Sequence, residues 1–125
     1  MGWDAYSEPF NTVWGFEDNL PNGTKTGDRE WDEVVDKLFK EGVRPIDGLL
    51  RHGGLDVSIC GHMLELATHT SVYEPIYWSP EKVQELARTA NWNFPIMDTE
   101  IWARESARAF LEHCAKLGRG IRFSW

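Results

Sequence analysis

Side chains that could do chemistry are concentrated around a glycine-rich turn in residues 51–62. His52, Cys60 and His62 all lie in this stretch. A cysteine near the start of a helix has its thiolate favoured by the helix dipole, and a neighbouring histidine can serve as its base. One hypothesis is therefore a small enzyme with Cys60 as nucleophile and His52 or His62 as base.

The pattern around Cys60 favours a packing role over this chemistry. Cys60 shares a helical stripe with Ile59, Met63 and Leu64, where a buried thiol is ordinary. Cys60 and His62 are two positions apart, so on a helix they project about 200° apart and cannot face one metal ion. We therefore predict no catalytic residue, no metal site and no cofactor, and keep the enzyme as the alternative function.

Acidic residues are concentrated in the first third of the chain. The 125 residues carry a net charge of −7, and residues 1–42 contribute −6 of it, from ten acidic and four basic side chains. This excess opposes direct nucleic-acid binding, because phosphate contacts need a surplus of Lys and Arg. An acidic helix face is either plain solvated surface or a footprint for a basic partner protein.

Tryptophan is the feature that folding alone explains least. The chain has seven tryptophans, and since Trp is rarely fully buried and is frequent at interfaces, we expect some of them to be partly exposed. The alternative is that all seven lie in or around the core. An apolar and anionic patch on the first predicted helix supplies the predicted partner-binding residues, which are Glu30, Trp31, Asp32, Glu33 and Asp36.

Helical periodicity and capping residues predict about five helices. The first carries the acidic patch and ends at Gly42, and the others are predicted at 45–52, 57–68, 80–90 and about 99–117. The third should bury Ile59, Cys60, Met63, Leu64 and Ala67; the fourth Val83, Leu86, Ala87 and Ala90; and the fifth Ile101 or Trp102, Ala109, Phe110, Cys114 and Leu117.

Extended structure is predicted near both ends of the chain. Residues 120–125 alternate apolar and polar, which is typical of a half-buried strand, and the candidate partners are 2–6 and 13–16. Residues 71–78 are β-branched and aromatic but contain Pro75, which favours an edge strand or an irregular segment. The predicted fold class is α+β, mostly helical, with a small antiparallel sheet joining the N-terminal region and the C-terminal strand in one compact domain, 1–125.

Three strings carry a resemblance to known proteins: Met1-Gly2-Trp3-Asp4, residues 78–87 (WSPEKVQELA) and residues 120–125 (GIRFSW). Together they resemble small proteins of tailed bacteriophages and prophages, over nearly the whole chain. The resemblance carries over no functional residue. It implies a non-enzymatic phage-type binding protein, an inhibitor of a host defence or nucleic-acid-handling complex, whose partner is a basic host protein. A phage structural or assembly accessory protein is a further alternative.

Composition also sets the expected location. Two cysteines are too few for the disulfide framework of a small secreted domain. No apolar run approaches the roughly 18–20 residues of a membrane span, and the first residues lack the basic and apolar regions of a signal peptide. We therefore expect a cytoplasmic protein of the host cell with no membrane partner.

Overall fold

The structure, a computed structural model, describes residues 4–8, 33, 37, 40, 54–55, 58–73 and 77–124. In chain order its elements are β1 (Asp4–Glu8), β2 (Gly54–Leu55), α1 (Ser58–Thr68), β3 (Tyr77–Trp78), α2 (Pro80–Thr89), a 3-10 turn (Asp98–Glu100), α3 (Ile101–Lys116) and β4 (Gly120–Ser124). The α+β class is confirmed for these residues.

The strands form one antiparallel sheet in the order β2-β1-β4-β3. Its centre is the pairing of β1 with β4, from Asp4 opposite Ser124 to Glu8 opposite Gly120. The predicted sheet between the N-terminal region and the C-terminal strand is thus confirmed. β3 is an edge strand, as the proline-broken segment 71–78 predicted, while the candidate strand 13–16 lies outside the described residues.

The sheet has one face in the core, as the alternating pattern of β4 predicted. Ile121 and Phe123 are buried, whereas Arg122 between them is exposed. Trp78 of β3 packs edge-on against Phe123, with ring centroids 4.8 Å apart. Because β4 contacts both α2 and α3, the helices cover this face and the core lies between the two layers.

Local signals explain α1 and α2. α1 buries Cys60, Met63, Leu64 and Ala67, with Ile59 partly buried against them, as its periodicity predicted. The predicted cap of α2 is also present, because Ser79 Oγ accepts a hydrogen bond from Lys82 N (3.2 Å) and Pro80 opens the helix. No helix in the described ranges is both long and apolar enough to cross a membrane.

The prediction of about five helices is not supported, since helix bounds are defined for three α-helices in the described parts of the chain. The predicted helix at 45–52 lies outside them. Of the first predicted helix they include Glu33, Lys37 and Lys40, which are helical.

The start and the buried stripe of α3 differ from the prediction. α3 begins at Ile101 rather than at Thr99, and the preceding turn is closed by Glu100, whose Oε1 accepts a hydrogen bond from Met97 N (3.0 Å). Of the predicted alternatives Ile101 or Trp102, Trp102 packs partly buried against the core and Ile101 is 40% exposed, while Leu117, predicted to be buried, is 37% exposed. The buried positions of Phe110 and Cys114 are confirmed, and the stripe also contains Ala103, Ser106, Ala107, Leu111 and His113. A search for large apolar residues at helical spacing does not find this stripe, because two of its members are polar and two are alanines.

Candidate functional site

Cys60, the candidate nucleophile, lies in the core. Its exposed fraction is 0%, and it belongs to the same buried cluster as Met63, Leu64 and Phe110. The interpretation of Cys60 as a packed residue is confirmed. Reactive cysteines are at least partly exposed, so a thiol with no exposed surface is shielded from a substrate.

The candidate base that the structure describes, His62, does not face Cys60. His62 is exposed while Cys60 is buried, so the two project to different sides of α1, as their spacing predicted. His52 lies outside the described residues. Within the described ranges, no group of three or more His, Cys, Asp and Glu could hold a metal ion.

The predicted acidic surface is described at one of its five positions. Glu33 is helical and exposed, and Glu30, Trp31, Asp32 and Asp36 lie outside the described residues. Lys37 and Lys40 are helical and exposed as well. Positions i, i+4 and i+7 share one helix face, so the exposed stripe is acidic towards its start and basic towards its end.

A groove that the sequence did not predict lies between the segment after α2 and the outer face of α3. Its volume is about 370 Å³, and it is lined by residues 90–93 together with Arg104, Glu105 and Arg108. This volume is at the lower end of the range for small-molecule sites. All of its lining residues are among the described ones, and they combine two guanidinium groups, two amides, a carboxylate and an indole.

Backbone hydrogen bonds hold the 90–93 wall of the groove in place. Asn91 N donates to Ala67 O at the end of α1 (3.0 Å), and Asn93 N donates to Asn91 Oδ1 (2.9 Å). Trp92 is half-buried and packs against the core, so one part of its ring system is anchored while it also lines the groove. The wall is therefore formed before any ligand arrives.

The opposite wall is set by the spacing of two arginines on α3. Arg104 and Arg108 are four residues apart, which puts them on the same helix face. Arg104 Nε donates to Glu105 Oε1 (3.0 Å), and Arg108 Nε donates to Glu112 Oε2 (3.3 Å). In the part of the chain that the structure describes, neither arginine donates a hydrogen bond from its terminal nitrogens. Each carboxylate thus orients a guanidinium and leaves its terminal N–H groups for a ligand.

Sequence reasoning missed this groove, although part of its signal was present. Trp92 was counted among the tryptophans that could be partly exposed, and the structure confirms that it is half-buried. The repeat of Arg104 and Arg108 at helical spacing was a readable second signal. The path that brings Asn91 and Asn93 opposite these arginines could not be read from a local pattern.

The geometry therefore separates the buried Cys60, the exposed Glu33 and the polar groove. Comparison of the chain with protein-family models, with curated proteins and with solved structures found no match. The assignment of function consequently depends on the chain's own residues.

Proposed function

We propose that this protein is a non-enzymatic binding protein that engages a basic partner protein through the acidic helix surface, defined as Glu30, Trp31, Asp32, Glu33 and Asp36. Its partner is a host defence or nucleic-acid-handling complex, in keeping with the resemblance to phage proteins. The protein occupies a surface that otherwise contacts nucleic acid.

The observation that carries this proposal is the exposure of Glu33. It is helical and solvent-facing in the part of the chain that holds −6 of the total charge of −7. Complementary charge on a helix face accelerates encounter with a basic surface, and an aromatic residue beside it supplies a buried anchor on binding. Lys37 and Lys40 lie at the other end of the exposed stripe, so a partner with complementary charges binds it in one orientation along the helix.

The burial of Cys60 also favours binding over thiol catalysis. Its sulfur has 0% exposure, and its described candidate base, His62, is on the solvent side of α1. The enzyme hypothesis would need the core to open before any substrate could be attacked. A binding function needs no such opening, because it uses residues that are already exposed.

The test compares two charge-reversal variants of equal size in affinity capture from host lysate. The first is Asp32→Lys with Glu33→Lys and Asp36→Lys, and the matched control is Glu81→Lys with Glu85→Lys and Asp98→Lys, three exposed acids elsewhere. Each surface substitution should change the free energy of unfolding by no more than about 0.5 kcal/mol.

Wild type and control should capture the same basic complex in stoichiometric amount, and the first variant should lose it. Binding of the wild type should weaken as salt is raised, because exposed charges are screened. Equal capture by both variants, or capture that salt does not affect, would refute the proposed surface.

A further inference from the structure

We infer that the groove between residues 90–93 and α3 binds a mononucleotide. This inference goes beyond the proposed function and does not depend on it, because the groove shares no residue with the acidic helix surface. It rests on three kinds of side chain that converge on one small volume: guanidinium groups, an indole, and amide and carboxylate groups.

The phosphate is matched by the arginine pair. Arg104 and Arg108 lie one helical turn apart, and each donates from Nε to a carboxylate, which leaves the terminal N–H groups of both for a ligand. A guanidinium fork pairs with phosphate oxygens through two parallel, charge-assisted hydrogen bonds. The charged groups that line the groove are Arg104, Arg108 and Glu105, and Glu112 pairs with Arg108 from outside the lining.

The base is matched by Trp92 and the two asparagines. Trp92 lines the groove while it packs partly against the core, and an indole held in this way can stack on a base without first losing side-chain freedom. Asn91 and Asn93 precede and follow Trp92 in the lining; Asn91 Oδ1 already accepts from Asn93 N, so the Asn93 amide is the group that can present both a donor and an acceptor to a purine edge. Neither a bare anion nor a purely apolar ligand would use both walls.

The ribose is matched by Glu105. One of its carboxylate oxygens accepts the hydrogen bond of Arg104 Nε, which leaves the other oxygen to accept from a ligand hydroxyl. A single nucleotide also fits the volume of about 370 Å³. A long strand fits less well, because a polyanion needs a track of many cations and the groove has two.

The experiment is isothermal titration of the purified full chain with adenosine 5′-monophosphate (AMP), adenosine, inorganic phosphate and a single-stranded oligodeoxyadenylate. AMP should bind more tightly than either adenosine or phosphate alone, because it uses both walls. Absence of AMP binding at millimolar concentration would overturn the inference. So would equal affinity for phosphate and AMP, or tighter binding of the oligonucleotide than of AMP.

Paired variants assign the two walls. Arg104→Gln with Arg108→Gln should weaken AMP binding by about tenfold or more, the effect of losing charge-assisted hydrogen bonds. The control, Arg88→Gln with Lys116→Gln, removes two exposed positive charges outside the groove and should leave AMP affinity within about twofold of wild type. Equal losses in both would mean that only net charge matters, which contradicts a built site.

Trp92 is tested with two substitutions, because it also packs on the core. Trp92→Phe keeps a stacking ring and should retain most of the AMP affinity, whereas Trp92→Leu keeps apolar volume without a ring and should lose about tenfold. Phosphate affinity should be the same in both variants.

Thermal melts identify any variant that fails to fold. If the Arg104→Gln with Arg108→Gln variant fails, Arg104→Lys with Arg108→Lys replaces it and should also lose AMP affinity, because Lys lacks the planar fork.

Discussion

The core around Cys60 and the groove around Arg104 differ both in residue type and in exposure to solvent. The core contains Cys60, Cys114 and His113, residue types that often do chemistry, with exposed fractions of 0%, 0% and 6%. The groove contains arginines and asparagines, residue types that usually mean plain surface, and they line a cavity. Burial, rather than residue type, decides which of the two regions can meet a ligand.

α3 contributes to both regions, which makes the contrast sharper. Ala103, Ala107 and Phe110 of its inner face are fully buried. Arg104 and Arg108, each next in sequence to one of those buried alanines, line the groove on the other side. Adjacent positions on a helix are about 100° apart, so one element can close a core and open a site at the same time.

Deleting residues 123–125 should cause the largest loss of stability, because it disrupts the core. It removes Phe123, which is 3% exposed, and the pairing of Ser124 with Asp4. Loss of the Phe123 side chain alone should lower the free energy of unfolding by about 3–5 kcal/mol. Urea denaturation checks this, with Arg122→Ala on the exposed face as a control that should lose less than about 1 kcal/mol. An unchanged midpoint in the truncated chain would mean that β4 is not packed.

Substituting Gly120 should have the next largest effect. A Cβ at this position would lie 2.6 Å from Tyr77 Oη and 2.7 Å from Trp78 O, so the strand pair must shift. Gly120→Ala should therefore lose about 1–3 kcal/mol in urea denaturation. In a Tyr77→Ala background the loss should be only partly relieved, since the Trp78 carbonyl is backbone. Full relief would show that the tight contact is with the ring alone.

The cysteines test whether the core is closed to solvent. Both Cys60 and Cys114 have 0% exposure, so a thiol reagent at neutral pH should label neither in native protein and both in urea. Cys60→Ser should lose about 1–3 kcal/mol of stability by placing a hydroxyl in an apolar site. Labelling of native Cys60 faster than free cysteine would reverse the comparison and restore the enzyme hypothesis.

The groove arginines should show the smallest effect on stability. Arg108 and Glu112 are 48% and 53% exposed, so water screens this pair, and Arg104 and Glu105, at 26% and 32%, are still partly in contact with solvent. Arg104→Gln with Arg108→Gln should lower the free energy of unfolding by less than about 1 kcal/mol in a denaturant titration. A loss of several kcal/mol would place these side chains with the core rather than with a ligand site.

Much of the fold could be predicted because its signals are local. Ser79 and Pro80 mark the start of α2, and the alternation of Ile121, Arg122 and Phe123 marks a half-buried strand, without reference to distant residues. The pairing of β4 with β1 (Asp4–Glu8) agrees with one of the two candidate partners, 2–6 and 13–16, between which the sequence did not choose. The stripe of α3 was harder, because Ser106 and His113 are buried against their usual preference.

The candidate site, too, could be predicted only in part. The packing role of Cys60 and its separation from His62 follow from helical spacing, which the residue numbers alone contain. The groove does not follow, because it needs the segment 90–93 to run beside α3, held by the hydrogen bond from Asn91 N to Ala67 O. A contact between segments far apart in sequence leaves no periodic trace in either segment.

The sequence by itself determined the acidic bias of the first third, the starts of α1 and α2 to within a residue, and the inward face of β4. These properties depend on charge, capping and periodicity, which act over a few neighbouring residues. Tertiary structure alone decided that Ile101 and Leu117 are exposed, and that Trp92 and the arginines of α3 share one groove. The physical reason is that burial belongs to the packed arrangement of elements, and many arrangements satisfy the same local patterns.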